Sequence, residues 1–210
     1  MTLNRKLDRC SRVKESIAFF SHKNQSMQFC ESRLEANAAL IREFDCKIVR
    51  YLTQPQSFGY KKNRRTLRYT PDALVQLRDG TFYYDEVKPF AIYQKILVHY
   101  HYQHLVKLFD QVIGHPLKIN TANSQYSNML IPNLQRLYFF LRQSFDITAA
   151  KELIQKLPSK SLCLAELASL CKQNGMQPTF SWQMVANQYF AIPTQELILP
   201  TTQLECIYAE

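Results

Sequence analysis

The sequence predicts an α+β fold, in which a mixed sheet flanked by helices is followed by a small helical domain. Between residues 26 and 121, stretches with helical spacing of apolar residues alternate with short, aromatic-rich runs typical of strands. After Pro132, helical segments follow one another with short breaks. We therefore expect two domains, 1–132 and 133–210, and a chain of 210 residues is long enough for each to have a core.

In the first domain, apolar periodicity predicts two long helices, over residues 26–45 and 91–113. Short apolar runs predict strands over residues 47–52, 56–60, 66–77, 81–87 and 115–121. A break at Gln54-Pro55 separates the first two strands, and Gly114 ends the second helix. Asp79-Gly80 lies between two long runs and is a strong hairpin signal.

In the second domain, helical segments are predicted over residues 133–143, 148–157, 161–173 and 181–190. Two short strands, 196–199 and 203–208, flank Pro200. Helix, turn, helix and then hairpin is the order of a winged-helix domain. The alternative is an unspecific helical bundle with an irregular tail.

The positive charge is concentrated in the first third of the chain. The whole chain has 26 Lys and Arg against 17 Asp and Glu, a net charge of +9, and residues 1–70 have 15 against six. The densest run contains Lys61, Lys62, Arg64 and Arg65. Such a run is either a solvated loop or, beside a nucleic-acid site, a loop that contacts DNA phosphates.

The sequence contains no apolar stretch of the length that a membrane span needs, and its basic start does not resemble a signal peptide. The six cysteines lack metal-finger spacing, so we expect reduced thiols in a cytoplasmic protein. His99, His101 and His104 are interpreted as part of an amphipathic helix rather than as a zinc site, because only the last two share a helix face.

The strongest chemical signal is Asp72 after Thr70-Pro71, followed by Glu86-Val87-Lys88 on the other arm of the hairpin. Glu86 and Lys88 are two residues apart on a predicted strand, so both project from one face. Aromatic neighbours predict that the strand is buried, and buried charges are costly without a partner or a metal. Asp72 on the adjacent strand can supply a second carboxylate. The alternative is an ordinary buried ion pair.

Two carboxylates and a lysine suit metal-assisted phosphodiester hydrolysis with Mg²⁺ or Mn²⁺. The lysine can orient or deprotonate the attacking water, or offset charge on the phosphate. A third carboxylate is expected from the first helix. We choose Glu35 over Glu31, because Ala38 and Ala39 let the helix approach the sheet closely at that point.

This site sets a condition on the hairpin. A plain two-residue loop at Asp79-Gly80 would place Asp72 opposite Val87 and on the other face from Glu86. One extra residue is therefore required. It can come from a three-residue loop with Gly80 in the left-handed conformation, which we favour, or from a bulge at Pro71-Asp72.

The pattern of a helix Glu, a Pro-Asp and an acid-x-Lys strand resembles the PD-(D/E)xK nuclease superfamily. More narrowly, four motifs together resemble TnsA, the endonuclease subunit of Tn-seven-type heteromeric transposases, including those associated with CRISPR systems. These motifs are Glu31-Ser32-Arg33-Leu34-Glu35, Gln54-Pro55, Tyr69-Thr70-Pro71-Asp72-Ala73-Leu74-Val75 and Glu86-Val87-Lys88-Pro89.

The resemblance implies a restriction-endonuclease-like fold, with Glu35, Asp72 and Glu86 as ligands of Mg²⁺ or Mn²⁺ and Lys88 as the catalytic lysine. Some members of the family have Gln at the position of Glu86. The implied activity is cleavage of the 5′ ends of transposon DNA in cut-and-paste transposition, in the bacterial cytosol at the nucleoid. The implied partners are the transposase TnsB, which cuts and joins the 3′ ends, and the ATPase regulator TnsC, bound by the C-terminal domain.

Two alternatives remain open from the residues. The chain can be a stand-alone restriction or repair nuclease of the same superfamily. It can also be a DNA-binding regulator, in which the winged-helix segment recognises DNA and the ion cluster is structural. Residues 133–210 have six basic and six acidic residues, which favours a protein-contacting domain over a DNA-reading one.

Overall fold

Helices and strands both occur in the protein, whose computed structural model describes residues 16–62, 64–121 and 129–208. The predicted α+β class is confirmed. The chain divides into two compact units, Met1–Gln125 and Tyr126–Glu210. Within the described ranges, every helix is too short or too polar to cross a membrane.

The first unit contains the longer strands. Its described strands β1 to β8 span Ile17–Ser21, Ser26–Cys30, Ile48–Thr53, Phe58–Lys62, Arg65–Tyr69, Ala73–Leu77, Phe82–Lys88 and Leu117–Thr121. Its described helices α1 to α3 span Arg33–Phe44, Phe90–Tyr93 and Ile96–Leu108. A π-helical turn, Phe109–Ile113, continues α3 and ends at Gly114, as predicted, with a left-handed φ of 75°.

The central sheet has the strand order β3-β6-β7-β8. Strand β6 is antiparallel to both β3 and β7, whereas β8 runs parallel to β7 after the crossover through α3. The sheet is therefore mixed, as predicted. The pairs β1-β2 and β4-β5 form two separate antiparallel ribbons.

The start of α1 differs from the prediction. Residues 26–30 are predicted as helix but form β2, which pairs with β1. The helix begins later because Ser32 caps it, its hydroxyl accepting a hydrogen bond from the Glu35 N–H at 3.2 Å. Upstream of that cap the alternation of buried and exposed side chains follows a strand period.

The two faces of the central sheet are covered by different helices. On one face, Ala39 of α1 packs in a buried cluster with Tyr51 and Val75. On the other face, Leu105 of α3 and Phe109 pack in a second cluster that includes Tyr84 and Leu117. Because side chains alternate along a strand, consecutive residues of β7 pack into different clusters.

A buried ion pair joins α1 to β7. Arg42 of α1 bonds the Asp85 carboxylate, and Asn120 of β8 donates to the other oxygen of that carboxylate. Arg42 and Asp85 are both almost fully buried. Asp85 therefore lies on the α1 face, and its neighbours Tyr84 and Glu86 lie on the α3 face.

The second unit is mainly helical. Its described helices α4 to α7 span Leu130–Leu141, Ile147–Gln155, Leu164–Gln173 and Phe180–Ala186. Its described strands β9 and β10 span Ser161–Cys163 and Gln203–Glu205, and they pair antiparallel. A single bridge joins Phe190 to Cys206.

Two predictions for this unit are wrong. Residues 161–163 are predicted as helix but form a strand, because Cys163 caps α6: its thiol accepts from the Glu166 N–H, and Glu166 accepts from the Cys163 N–H. Residues 203–205 therefore pair with 161–163 instead of with the predicted strand at 196–199, which is not a strand in the described structure.

Candidate active site

The hairpin of β6 and β7 has the register that the candidate site requires. Its three-residue turn is closed by the Leu77 N–H, which donates to the Thr81 carbonyl at 2.9 Å, and Gly80 has a φ of 84°. Ala73 pairs with Asp85, so the preceding residue, Asp72, falls opposite Glu86. The predicted loop with a left-handed Gly80 is confirmed.

Asp72 lies just before β6 and is 9% exposed. Its Oδ2 accepts a hydrogen bond from the Val87 N–H at 2.8 Å and lies 4.0 Å from the Lys88 Nζ. Burial is the main cause that raises the pKa of Asp72, to about 8. The negative charges of Glu86 and Glu35 raise this pKa further, whereas the positive charge of Lys88 lowers it.

Glu86 is held by two tyrosine hydroxyls. Tyr69 donates to its Oε2 at 2.7 Å, and Tyr102 of α3 donates to its Oε1 at 2.9 Å. Burial and the Glu86 charge raise the pKa of both tyrosines, so their hydroxyls keep the protons that they donate. The Glu86 side chain is therefore held in a fixed position.

Lys88 joins the two carboxylates on this face. Its Nζ lies 2.7 Å from the Glu86 Oε1 and 4.0 Å from the Asp72 Oδ2, and it is 5.8 Å from the centre of the Tyr102 ring. Burial lowers the pKa of Lys88, but Glu86 and Asp72 raise it by more, so the net direction is upward. The lysine supplies one positive charge to two buried carboxylates.

Glu35 is in the first turn of α1 and is held on both oxygens. Its Oε1 accepts from the Ser32 hydroxyl at 2.9 Å. Its Oε2 accepts from the Glu31 N–H at 2.9 Å and from the Gln54 side-chain amide at 3.0 Å. The contacts with Glu31 and Ser32 also cap the helix, so Glu35 has a structural role in addition to any chemical one.

The structure places Asp72, Glu86 and Lys88 on one sheet face, as predicted from strand geometry, with the Lys88 Nζ within 4.0 Å of both carboxylates. Gln54 connects Glu35 to Asp72. Carboxylate oxygens are the ligands that Mg²⁺ and Mn²⁺ prefer. The Asp72 Oδ1 accepts no hydrogen bond from the described residues, so it is open to a cation. The donor chemistry therefore fits a hard divalent ion. In the arrangement seen here, the described residues contain no group of three His, Cys, Asp or Glu placed to hold a metal together.

The predicted phosphate-contacting cations lie on the β4-β5 ribbon, which leads directly into the site through Tyr69. All of them are exposed: Lys61, Lys62, Arg64 and Arg65. Arg68 is also exposed on this ribbon, and residues 58–69 contain no acidic residue. The Tyr60 ring packs beside those of His101 and His104 at 6.5 and 6.2 Å, so the ribbon rests on α3.

Sequence reasoning missed three residues of the site. Tyr69 belongs to the Tyr-Thr-Pro-Asp motif and Gln54 to the Gln-Pro motif, but neither motif indicates which carboxylate the side chain contacts. Tyr102 has no local signal, since it reaches Glu86 from a helix that follows it in the chain.

In comparisons with known proteins, the sequence matches no protein-family model and no curated protein. The site combines buried carboxylates, a lysine beside them and an exposed basic ribbon next to them.

Proposed function

We propose that this chain is a metal-dependent DNA endonuclease with a PD-(D/E)xK nuclease fold. The observation that carries the proposal is the contact of Asp72, Glu86 and Lys88 on one buried sheet face, with Glu35 connected to them through Gln54. Buried charges of this density are costly in an ordinary core, which favours a chemical role over a purely structural one.

Asp72, Glu86 and Glu35 would hold Mg²⁺ or Mn²⁺. When bound, such an ion polarises a phosphoryl oxygen and makes water a stronger nucleophile. Lys88 keeps a positive charge between Glu86 and Asp72, where it is suited to offset negative charge on the phosphate. Tyr69 and Tyr102 fix the Glu86 carboxylate, so that the lysine has a defined partner.

The β4-β5 ribbon would contact the backbone of the DNA substrate. Five exposed cations in a segment without acidic residues complement a polyanion, and the ribbon is anchored next to the site by Tyr69, whose ring packs against Phe109 at 5.8 Å. These contacts would position the duplex without reading its sequence.

The biological role that we propose is cleavage of the 5′ ends of a transposon, in the cytosol, together with a TnsB-type transposase and a TnsC-type ATPase. It is supported by the resemblance to TnsA, whose motifs supply every member of the site except Tyr102. The Gln54-Pro55 motif and the Tyr-Thr-Pro-Asp context favour this role over that of a stand-alone restriction or repair nuclease.

We further propose that the second unit is a winged-helix-like domain that binds protein. The elements follow one another in the order α5, β9, α6, α7, the bridged residue Phe190 and then β10. This order supports the winged-helix topology. In this order α7 is the third helix and would be the DNA-reading one, but it packs against α4: the Trp182 ring stacks on Phe140 at 5.5 Å, and Arg136 lies over Trp182 at 4.1 Å. A covered helix in a neutral domain argues against the DNA-binding regulator.

The test is cleavage of transposon-end DNA with Mg²⁺ or Mn²⁺, with and without the transposase and the ATPase. We expect 5′-strand cuts that require the partners, and loss of cutting in Asp72→Ala and Lys88→Ala. The control variants Asp110→Ala and Lys118→Ala change residues of the same types at exposed positions, and they should cut DNA like the wild type. Cutting by the chain alone at unrelated sites would support the stand-alone nuclease. A folded Asp72→Ala variant that still cuts at the normal rate would overturn the assigned site.

A further inference from the structure

Gln54 has a backbone conformation that its sequence context disfavours. Its φ is 46°, in the left-handed region that residues other than glycine seldom adopt. It also precedes Pro55, and a residue before proline normally takes an extended conformation with negative φ. The residue is 3% exposed, so this geometry is fixed inside the protein. Unusual backbone geometry of this kind occurs preferentially at functional sites.

Gln54 contacts the two candidate ligands that come from different elements. Its backbone N–H donates to the Asp72 carbonyl at 2.9 Å, which extends the β3-β6 pairing by one residue. Its side-chain amide donates to the Glu35 Oε2 at 3.0 Å. One residue at the end of β3 therefore joins the start of β6 to the first turn of α1.

The contact also distinguishes the two oxygens of Glu35. Oε2 accepts two hydrogen bonds, from the Glu31 N–H and from Gln54, whereas Oε1 accepts one, from Ser32. A carboxylate has about four acceptor positions, two on each oxygen. Oε1 is therefore the oxygen with more capacity for a cation.

We propose that Gln54 is a positioning residue: it fixes the Glu35 carboxylate relative to Asp72, so that the two can bind the same divalent cation. This inference rests on the proposed nuclease function and extends it to the Gln-Pro motif. Helix capping does not require Gln54, because Ser32 and the Glu31 N–H already make the capping contacts.

The experiment measures Mn²⁺ binding to the full chain by electron paramagnetic resonance, together with the Mn²⁺ concentration that gives half-maximal cleavage. Gln54→Met keeps an unbranched side chain of similar length and the backbone hydrogen bond, but removes the amide donor. Groups that orient metal ligands typically contribute about 10- to 100-fold to metal affinity. We expect Mn²⁺ binding at least about tenfold weaker, with the cleavage rate restored at saturating Mn²⁺.

A matched control and a second variant complete the design. Gln56→Met makes the same change two residues later, at an exposed position, and should bind Mn²⁺ like the wild type. If Gln54→Met does not fold by circular dichroism, Gln54→Asn replaces it, because asparagine tolerates positive φ and its amide is one methylene too short.

The outcomes separate this inference from the proposed function. A wild-type protein that neither binds Mn²⁺ nor cuts DNA would overturn both. A wild type that binds and cuts, beside a folded Gln54 variant with unchanged Mn²⁺ affinity, would overturn the positioning role and leave the nuclease standing. Weaker Mn²⁺ binding with a restored maximal rate, in the Gln54 variant alone, supports the role.

Discussion

Asp72 and Glu86 lie opposite each other on adjacent strands because the hairpin that joins them turns through three residues instead of two. The extra residue places Gly80 in a left-handed conformation and puts both carboxylates on the face that also carries Lys88. A single glycine at the far end of the hairpin therefore determines which side chains can meet at the site.

The first prediction concerns this turn. Gly80→Ala should destabilise the protein by about 1–2 kcal/mol, because a left-handed residue with a Cβ is strained. A Cβ at this position meets no atom within 4 Å, so strain rather than a clash is the cause. Thermal unfolding should therefore show a melting temperature several degrees lower. Gly80→Asn should lose less stability than Gly80→Ala, because asparagine tolerates positive φ. An equal loss of stability in both variants would contradict backbone strain as the cause.

The second prediction concerns the tyrosine pair. Tyr102→Phe removes one hydrogen bond from Glu86 and should slow cleavage by about tenfold, as is usual for residues that orient a metal ligand. Tyr84→Phe is the control, because Tyr84 belongs to the same core but its hydroxyl has only a 3.5 Å contact with Gln56. Steady-state cleavage rates of both folded variants test whether the Tyr102 hydroxyl contributes to cleavage. Equal rates would remove Tyr102 from the site.

The third prediction concerns pH and stability without metal. The folded-state pKa of Asp72 is raised from 3.8 to about 8, so the folded protein binds this proton more tightly than the unfolded chain does. The contribution of Asp72 to stability therefore falls as pH rises from about 4 to about 8. Asp72→Asn keeps an acceptor for the Val87 N–H and removes the charge.

In buffer with EDTA, Asp72→Asn should melt at a higher temperature than the wild type at pH 8, by several degrees, with a smaller difference at pH 5. Asp110→Asn, an exposed acid, should show no such trend. A difference in melting temperature that is the same at both pH values would contradict the raised pKa.

The fourth prediction concerns the basic ribbon. Replacing Lys61, Lys62, Arg64 and Arg65 by Gln should weaken DNA binding and make log affinity less dependent on log salt, by roughly 0.9 in slope for each phosphate that the ribbon no longer neutralises. The matched control replaces four exposed lysines of the second unit, Lys151, Lys156, Lys160 and Lys172. An unchanged slope in the ribbon variant would mean that these cations are simply solvated.

The sequence predicted those features that depend on local spacing. The Asp79-Gly80 signal, with the need for Asp72 to share a face with Glu86, favours the three-residue turn that the structure has over a bulge at Pro71-Asp72. The spacing of Glu86 and Lys88 was sufficient to predict their contact. Each of these inferences follows from the two-residue period of a strand.

Features that depend on contacts between distant segments were not predictable in this way. Tyr102 reaches Glu86 only because α3 packs on the sheet, which no local pattern specifies. The apolar residues of Ser26–Cys30 fit both the helix and the strand period over so short a run, and pairing with β1 makes the segment a strand. The helix at Leu164–Gln173 starts later than its apolar pattern predicts, because Cys163 caps it. Cysteine is an uncommon helix cap, so the sequence does not indicate that Ser161–Cys163 is a strand.

The ion pair between Arg42 and Asp85 has a mechanical consequence for the site. It ties α1 to β7 on the side of the sheet away from Lys88, while Glu35 and Glu86 extend from those same two elements. Removing one partner of such a buried pair typically costs about 3–5 kcal/mol. The pair therefore acts as a brace that fixes the distance between the helix and the strand, and with it the spacing of the Glu35 and Glu86 backbones.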